Sequence, residues 1–153
     1  MKLTEILRQG QIIPDLQARS KRAVMLELCQ AMRQERFYLD SDRLVEVLLE
    51  RERLGSTGIG DGIAIPHGKL PHLTELQLAF GRSQVGVDFD SLDGKPVHLF
   101  FLVVVPEYST DVHLKALARI SRLLKSHAVR KYLMQAKDVQ EMFQFIKAQD
   151  EEF

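Results

Sequence analysis

From Val97 to Val105 the chain carries one polar residue, His98, in an otherwise unbroken apolar run that Pro106 brings to a stop. The run is far short of the roughly 20 residues that a membrane-spanning helix needs. It reads instead as a strand, and a strand apolar on both sides belongs in the centre of a sheet with both faces covered. The rest of the chain must supply the covering layers.

The segments that could do so are legible on either side. Residues 21–36 show helical spacing after an N-cap at Ser20. A second helix follows Asp40-Ser41, with Leu44, Val45, Leu48 and Leu49 on one face, and runs to about Leu54. Alternation at Leu76, Leu78 and Phe80, and again at Val85, Val87 and Phe89, predicts two strands separated by a turn. Asp93-Gly94-Lys95-Pro96 is turn chemistry leading into the central run. Beyond Pro106, Leu114, Leu117, Ala118, Ser121 and Leu124 form one helical stripe. Asp138-Val139-Gln140-Glu141 then has capping-box spacing and opens a final helix that turns Val139, Met142, Phe143 and Ile146 inward. Helices, then strands, then helices predict an α/β fold over 1–153: a single domain with a mixed parallel/antiparallel central sheet flanked by helices on both faces.

Composition narrows the function classes. The 21 Lys and Arg cancel the 21 Asp and Glu, so the chain lacks the basic surplus that displaces counterions from nucleic-acid phosphates. Cys29 is the one cysteine; it excludes an intramolecular disulfide and reads as a buried core thiol on the apolar side of the first helix. Glu5 stands where a signal peptide would have its apolar stretch. These features predict a cytoplasmic protein with no nucleic-acid partner and no membrane insertion.

Chemistry concentrates in Gly55-Ser56-Thr57-Gly58-Ile59-Gly60-Asp61-Gly62-Ile63-Ala64-Ile65-Pro66-His67-Gly68. A dinucleotide fingerprint would need its glycines to open a helix after a strand; here they precede a β-like segment, Ile63-Ala64-Ile65. A P-loop would need Lys-Ser or Lys-Thr at its end, and Lys69 is followed by Leu70. What remains is His67 at the end of a short strand, between a proline that fixes the chain's approach and a glycine that leaves the imidazole unshielded. A neutral imidazole has one nucleophilic nitrogen while the other can be held by a hydrogen bond, which suits it to accept a phosphoryl group. A turn histidine without a role is the plainer alternative. His72, His98 and His127 read as a loop residue, the opening of the central strand and a residue beyond a helix end at Ser126. No cysteine pair or i,i+4 histidine pair supports a metal site.

The Asp61–Gly68 segment, with Arg51-Glu52-Arg53-Leu54-Gly55-Ser56-Thr57-Gly58-Ile59-Gly60 before it and His113-Leu114-Lys115-Ala116-Leu117 later, resembles the fructose/mannitol-type enzyme IIA of the bacterial phosphoenolpyruvate phosphotransferase system. The similarity covers essentially the whole chain, and the lone short domain looks most like the nitrogen-regulatory branch. The resemblance implies that His67 is phosphorylated, on Nε2, by a histidine-containing phosphocarrier protein, and that His113 and Arg51 belong to the same site. Ser109-Thr110-Asp111 is capping chemistry that would put His113 in the first turn of a helix, where partial positive charge and free N–H groups favour a phosphate. The rigid fork of the Arg51 guanidinium suits phosphate as well. Asp61 falls where relatives carry varied polar residues. No metal or cofactor is implied. Three destinations compete: a phosphorylation-dependent regulator, which is the favoured reading, a transport component passing the group to an enzyme IIB, and an interaction module without phosphoryl chemistry.

Overall fold

The computed structural model describes residues 2–32, 40–71 and 73–152. Among them, β1 (Ile12–Ile13), β2 (Gly58–Gly60), β3 (Ile63–Ala64), β4 (His67–Leu70), β5 (Gln77–Val87) and β6 (Val97–Pro106) make one mixed sheet. The helices are α1 (Lys21–Met32), α2 (Ser41–Glu52), α3 (Thr110–Lys125), α4 (His127–Gln135) and α5 (Val139–Asp150). The apolar run is β6, and it lies mid-sheet: antiparallel to β5 on one side, parallel to β3 and β4 on the other.

Successive side chains of a strand leave on opposite faces, and β6 uses both. Leu99, Phe101, Val103 and Val105 enter one core with Ala116, Ile120 and Leu124 of α3, Leu133 of α4 and Met142 and Ile146 of α5. Phe100, Leu102 and Val104 enter a second core with Leu28 and Met32 of α1 and Leu44 and Leu48 of α2. Helices therefore cover both faces of one mixed sheet. Cys29 is fully buried in the second core, and burial pushes its thiol up to about 12, so it is an inert packing residue.

The two expected strands around Leu76–Phe89 are one. β5 continues to Val87 across a register shift between Arg82 and Val87, and Gly86 adopts φ +87° within it. A Cβ there would meet Pro96 Cβ at 2.8 Å and His98 Cε1 at 2.9 Å, so the irregularity takes the place of the expected turn. The α3 stripe is also rotated from its expected position. Ala116, Ile120, Leu123 and Leu124 are buried, whereas Leu114, Ala118 and Ser121 are exposed. Leu117 remains at the core's margin.

The helix ends follow local chemistry. Asp40 accepts from the Arg43 amide, Asp138 from the Glu141 amide and Ser126 from the Val129 amide. Ser126 thus closes α3 and opens α4, so His127 lies past a helix end, as expected, and is also the first residue of the next helix. Ser20 accepts from the Ala23 amide at 3.2 Å ahead of α1; of the expected 21–36 helix, residues 33–36 lie outside the described residues, as does His72. The second helix ends at Glu52, two residues before the expected Leu54.

β3 and β4 pair with β6 in the same register, Ile63 with Leu99 and His67 with Val103. They are one interrupted strand, broken at Ile65-Pro66. Proline has no N–H to give, and the Ile65 amide turns away to the Thr57 carbonyl at 3.0 Å, while the Pro66 carbonyl still accepts from Val103 at 2.9 Å.

Candidate functional site

His67 is the first residue after that break, opening β4 rather than ending the strand before it. Its register with Val103 puts its side chain on the α3 side of the sheet. The ring is half-buried, and Nδ1 lies 2.8 Å from the Ile65 carbonyl oxygen. A carbonyl can only accept, so Nδ1 carries the proton and Nε2 keeps its lone pair. Burial lowers the His67 pKa below the ordinary 6.5, and the nearby Arg51 charge lowers it further; the Ile65 bond and Glu52 act the other way. The ring is neutral at pH 7, with a nucleophilic nitrogen.

Gly68 has a different purpose from leaving the imidazole open. Its register with Val104 turns it toward α2, where a Cβ would come to 3.0 Å from Val47 Cγ1 and 3.4 Å from Leu48 Cδ2. Glycine lets α2 approach β4 closely, and the C-terminal turns of α2 thereby flank the histidine.

His113 comes from the first turn of α3, with its ring centroid 5.2 Å from that of His67 and the planes at 84°. Its backbone N–H is already bonded to the Ser109 carbonyl at 3.0 Å, and the Ser109 side chain makes no cap hydrogen bond. His113 therefore offers the site its imidazole, not a free backbone donor. Burial lowers its pKa first, followed by the charges of His67, Lys69 and Arg51. His113 Nδ1 is buried and without a partner among the described residues.

Arg51, in the last turn of α2, donates from Nη1 to the Gly55 carbonyl at 2.9 Å, and its charge is felt at both histidines. The structure thus brings His67, His113 and Arg51 into one open groove of about 640 Å³, together with Lys69 and Leu54. Leu54 is 86% exposed, and Leu114 beside His113 is 60% exposed. Leu114, expected in the buried stripe of α3, is instead an exposed apolar group next to His113 in the chain.

Glu52 had no assigned role in the sequence. It is buried, accepts from the Thr57 amide at 3.1 Å and from the Thr57 hydroxyl, and pairs with Lys21 Nζ at 3.2 Å. It thereby ties the glycine loop, including the Gly55 carbonyl that holds Arg51, to the end of α2. No spacing rule marks it, and in the sequence it is simply the neighbour of Arg51. Asp61 stays outside the groove, at φ +57°, with its amide donating to Asp93 Oδ2 at 3.0 Å. His98 is held by the Ser83 carbonyl at 2.8 Å at the far end of β6.

Comparison with known proteins agrees with this architecture. The family model described as "Phosphoenolpyruvate-dependent sugar phosphotransferase system, EIIA 2" matches residues 5–149. A nitrogen regulatory protein of Bradyrhizobium diazoefficiens is 42% identical over 144 residues, covering 94% of this chain and 93% of the relative. The fructose-specific EIIABC component of Bacillus subtilis is 38% identical over 98% of this chain, which spans 24% of that longer protein. The crystal structure of the nitrogen regulatory protein IIA-Ntr from Neisseria meningitidis superposes with a TM-score of 0.86 at 34% identity, covering 94% of this chain and 98% of that one. From the match over residues 5–149 as much as from the fold around His67, the chain belongs to the EIIA 2 family of the phosphoenolpyruvate-dependent sugar phosphotransferase system.

Proposed function

We infer that the protein is a cytoplasmic phosphohistidine carrier in which His67 Nε2 accepts a phosphoryl group from a histidine-containing phosphocarrier protein. The observation that carries this reading is the 2.8 Å contact of His67 Nδ1 with the Ile65 carbonyl, which leaves Nε2 as the free nucleophile. In the transfer, the Nε2 lone pair forms the new P–N bond as the donor's P–N bond breaks. The released pair stays on the donor nitrogen. The proton on His67 Nδ1 does not move, so the phosphorylated ring is an imidazolium, a good leaving group for the onward step. Positioning and electrostatics supply the rate, as in other phosphoryl transfers.

His113 and Arg51 stabilise the transferring group without carrying it. A buried N–H without a partner is rarer than a buried acceptor without one, so neutral His113 keeps its proton on Nε2 and donates from there. Incubation with the phosphorylated donor tests the assignment: acid-labile, base-stable label appears on the wild type and is absent from His67→Ala. Label that persists on the variant would move the acceptor elsewhere.

The regulatory destination is favoured by the Bradyrhizobium relative, whose match covers 94% of this chain and 93% of its own length. A phosphoryl group adds close to two negative charges, and burying them against an apolar or acidic partner costs several kcal/mol. The unmodified form is therefore the one that binds its target. Transport is the second reading, favoured by the fructose-specific relative. Pull-down with His67→Ala separates the two: a soluble regulator or ion-transport subunit supports the switch, whereas an enzyme IIB alone supports transport.

A further inference from the structure

The groove around His67 carries an imbalance that the neutral chain conceals. Its two carboxylates are compensated from outside it: Glu46 pairs with Arg22 at 2.5 Å and Glu50 with Arg53 at 3.4 Å. Arg51 is bonded to a neutral carbonyl, and Lys69 has no hydrogen-bond or ion-pair partner among the described residues. A cation that lacks a counterion beside a nucleophile is placed for an anion to arrive.

Geometry says where that anion would be. Lys69 lies two residues after His67 on β4, in register with Val105 as His67 is with Val103. The two side chains leave the sheet on the same face, from Cα atoms about 6.6 Å apart. The ammonium acts on His113, while Arg51 acts on both rings. Lys69 therefore lines the same groove as His67, His113 and Arg51, from the strand face that also carries His67.

We propose that Lys69 holds an oxygen of the phosphoryl group on His67, completing with Arg51 and the His113 ring a three-sided cradle for the transferred group. The inference rests on the phosphohistidine reading above. Lysine suits the task because its ammonium is a compact charge on a flexible stem, able to follow the phosphorus as it moves from donor to acceptor. The main-chain setting does not depend on the side chain: Lys69 is exposed, and its backbone pairs with Val105.

The test uses Lys69→Met, which keeps the length and removes the charge, and Lys69→Arg, which restores it. Both are phosphorylated with phosphoramidate, a small donor that needs no docking surface. His67 Nε2 displaces its nitrogen, which takes a proton and leaves as ammonia. Lys69→Met should accept the group about three- to tenfold more slowly, the effect of one charge-assisted contact at a partly exposed site. Lys69→Arg should recover most of the rate, and thermal melts of all three proteins should coincide. Equal rates for wild type and Lys69→Met would make Lys69 a solvated surface charge and overturn the proposal. A slowing that Lys69→Arg does not relieve would assign the residue to packing and overturn it too. A slowing seen with the phosphocarrier protein but absent with phosphoramidate would place Lys69 in docking rather than on phosphate, again overturning it. Failure of the underlying reading looks different: the wild type itself would take up no label at His67.

Discussion

His67 and His113 meet edge to face, their ring centroids 5.2 Å apart and their planes at 84°. In this arrangement one imidazole can hold a phosphoryl group while the other approaches its oxygens. His113→Ala should still be labelled at His67, but about 10²–10³ more slowly, the usual effect of removing one donor aimed at developing charge. Single-turnover labelling by the phosphorylated donor measures it. Full-speed transfer would reduce His113 to a packing neighbour.

Glu52 acts on the site at one remove, through Thr57 and the loop whose Gly55 carbonyl holds Arg51. Glu52→Gln keeps the shape but weakens the charge-assisted contacts and the Lys21 pair, contacts worth about 1.5–3 kcal/mol each when one partner is charged. Stability in urea should fall by about 2 kcal/mol, and transfer should slow. Arg51→Ala should slow transfer while leaving stability within about 0.5 kcal/mol, as for other surface substitutions. Arg51→Lys should restore the rate only in part, because the fork is lost. Equal losses of stability in the Arg51 and Glu52 variants would contradict this division.

The pH dependence has a definite sign. Burial holds both His67 and His113 below the ordinary 6.5, so the unfolded chain binds protons that the folded chain refuses. Their contribution to stability is complete above pH 6.5 and is lost as pH falls from there through the folded values. An NMR titration of the imidazole Cε1–H signals should give midpoints under 6.5 for both rings. A midpoint above it for His67 would mean a charged, non-nucleophilic ring near neutrality.

Gly68 couples the histidine to α2. Gly68→Ala puts a methyl 3.0 Å from Val47 Cγ1, an overpacking that costs about 1–3 kcal/mol. Val47→Ala should relieve much of the cost when combined with it, so the two changes should be non-additive in urea unfolding. Additive losses would show that α2 does not approach β4 as described.

The layered fold was legible because β6 is apolar on both faces and the flanking stripes have helical spacing. The irregular places were not. Val85 and Phe89 alternate with polar neighbours in the manner of a fresh strand, and only the register against β6 reveals a single strand with a shift inside it. The α3 stripe was misplaced because Leu114 is as apolar as its core neighbours; its exposure follows from the direction in which α3 meets the sheet. His67, His113 and Arg51 could be named from their motifs, yet no spacing indicates that an interrupted strand, broken at Pro66, aims Nδ1 at Ile65. Lys69 and Glu52 act through where their charges lie in space, which a sequence with zero net charge does not display.

The phosphohistidine reading assigns the phosphoryl group to one atom, Nε2 of His67. Long-range proton–nitrogen NMR on protein with 15N-labelled histidine, before and after phosphorylation by the donor, reads this atom directly. Phosphorylation should add a 31P coupling to one nitrogen, His67 Nε2, and leave Nδ1 protonated against the Ile65 carbonyl. A coupling at His67 Nδ1, or at any nitrogen of His113, would contradict the account.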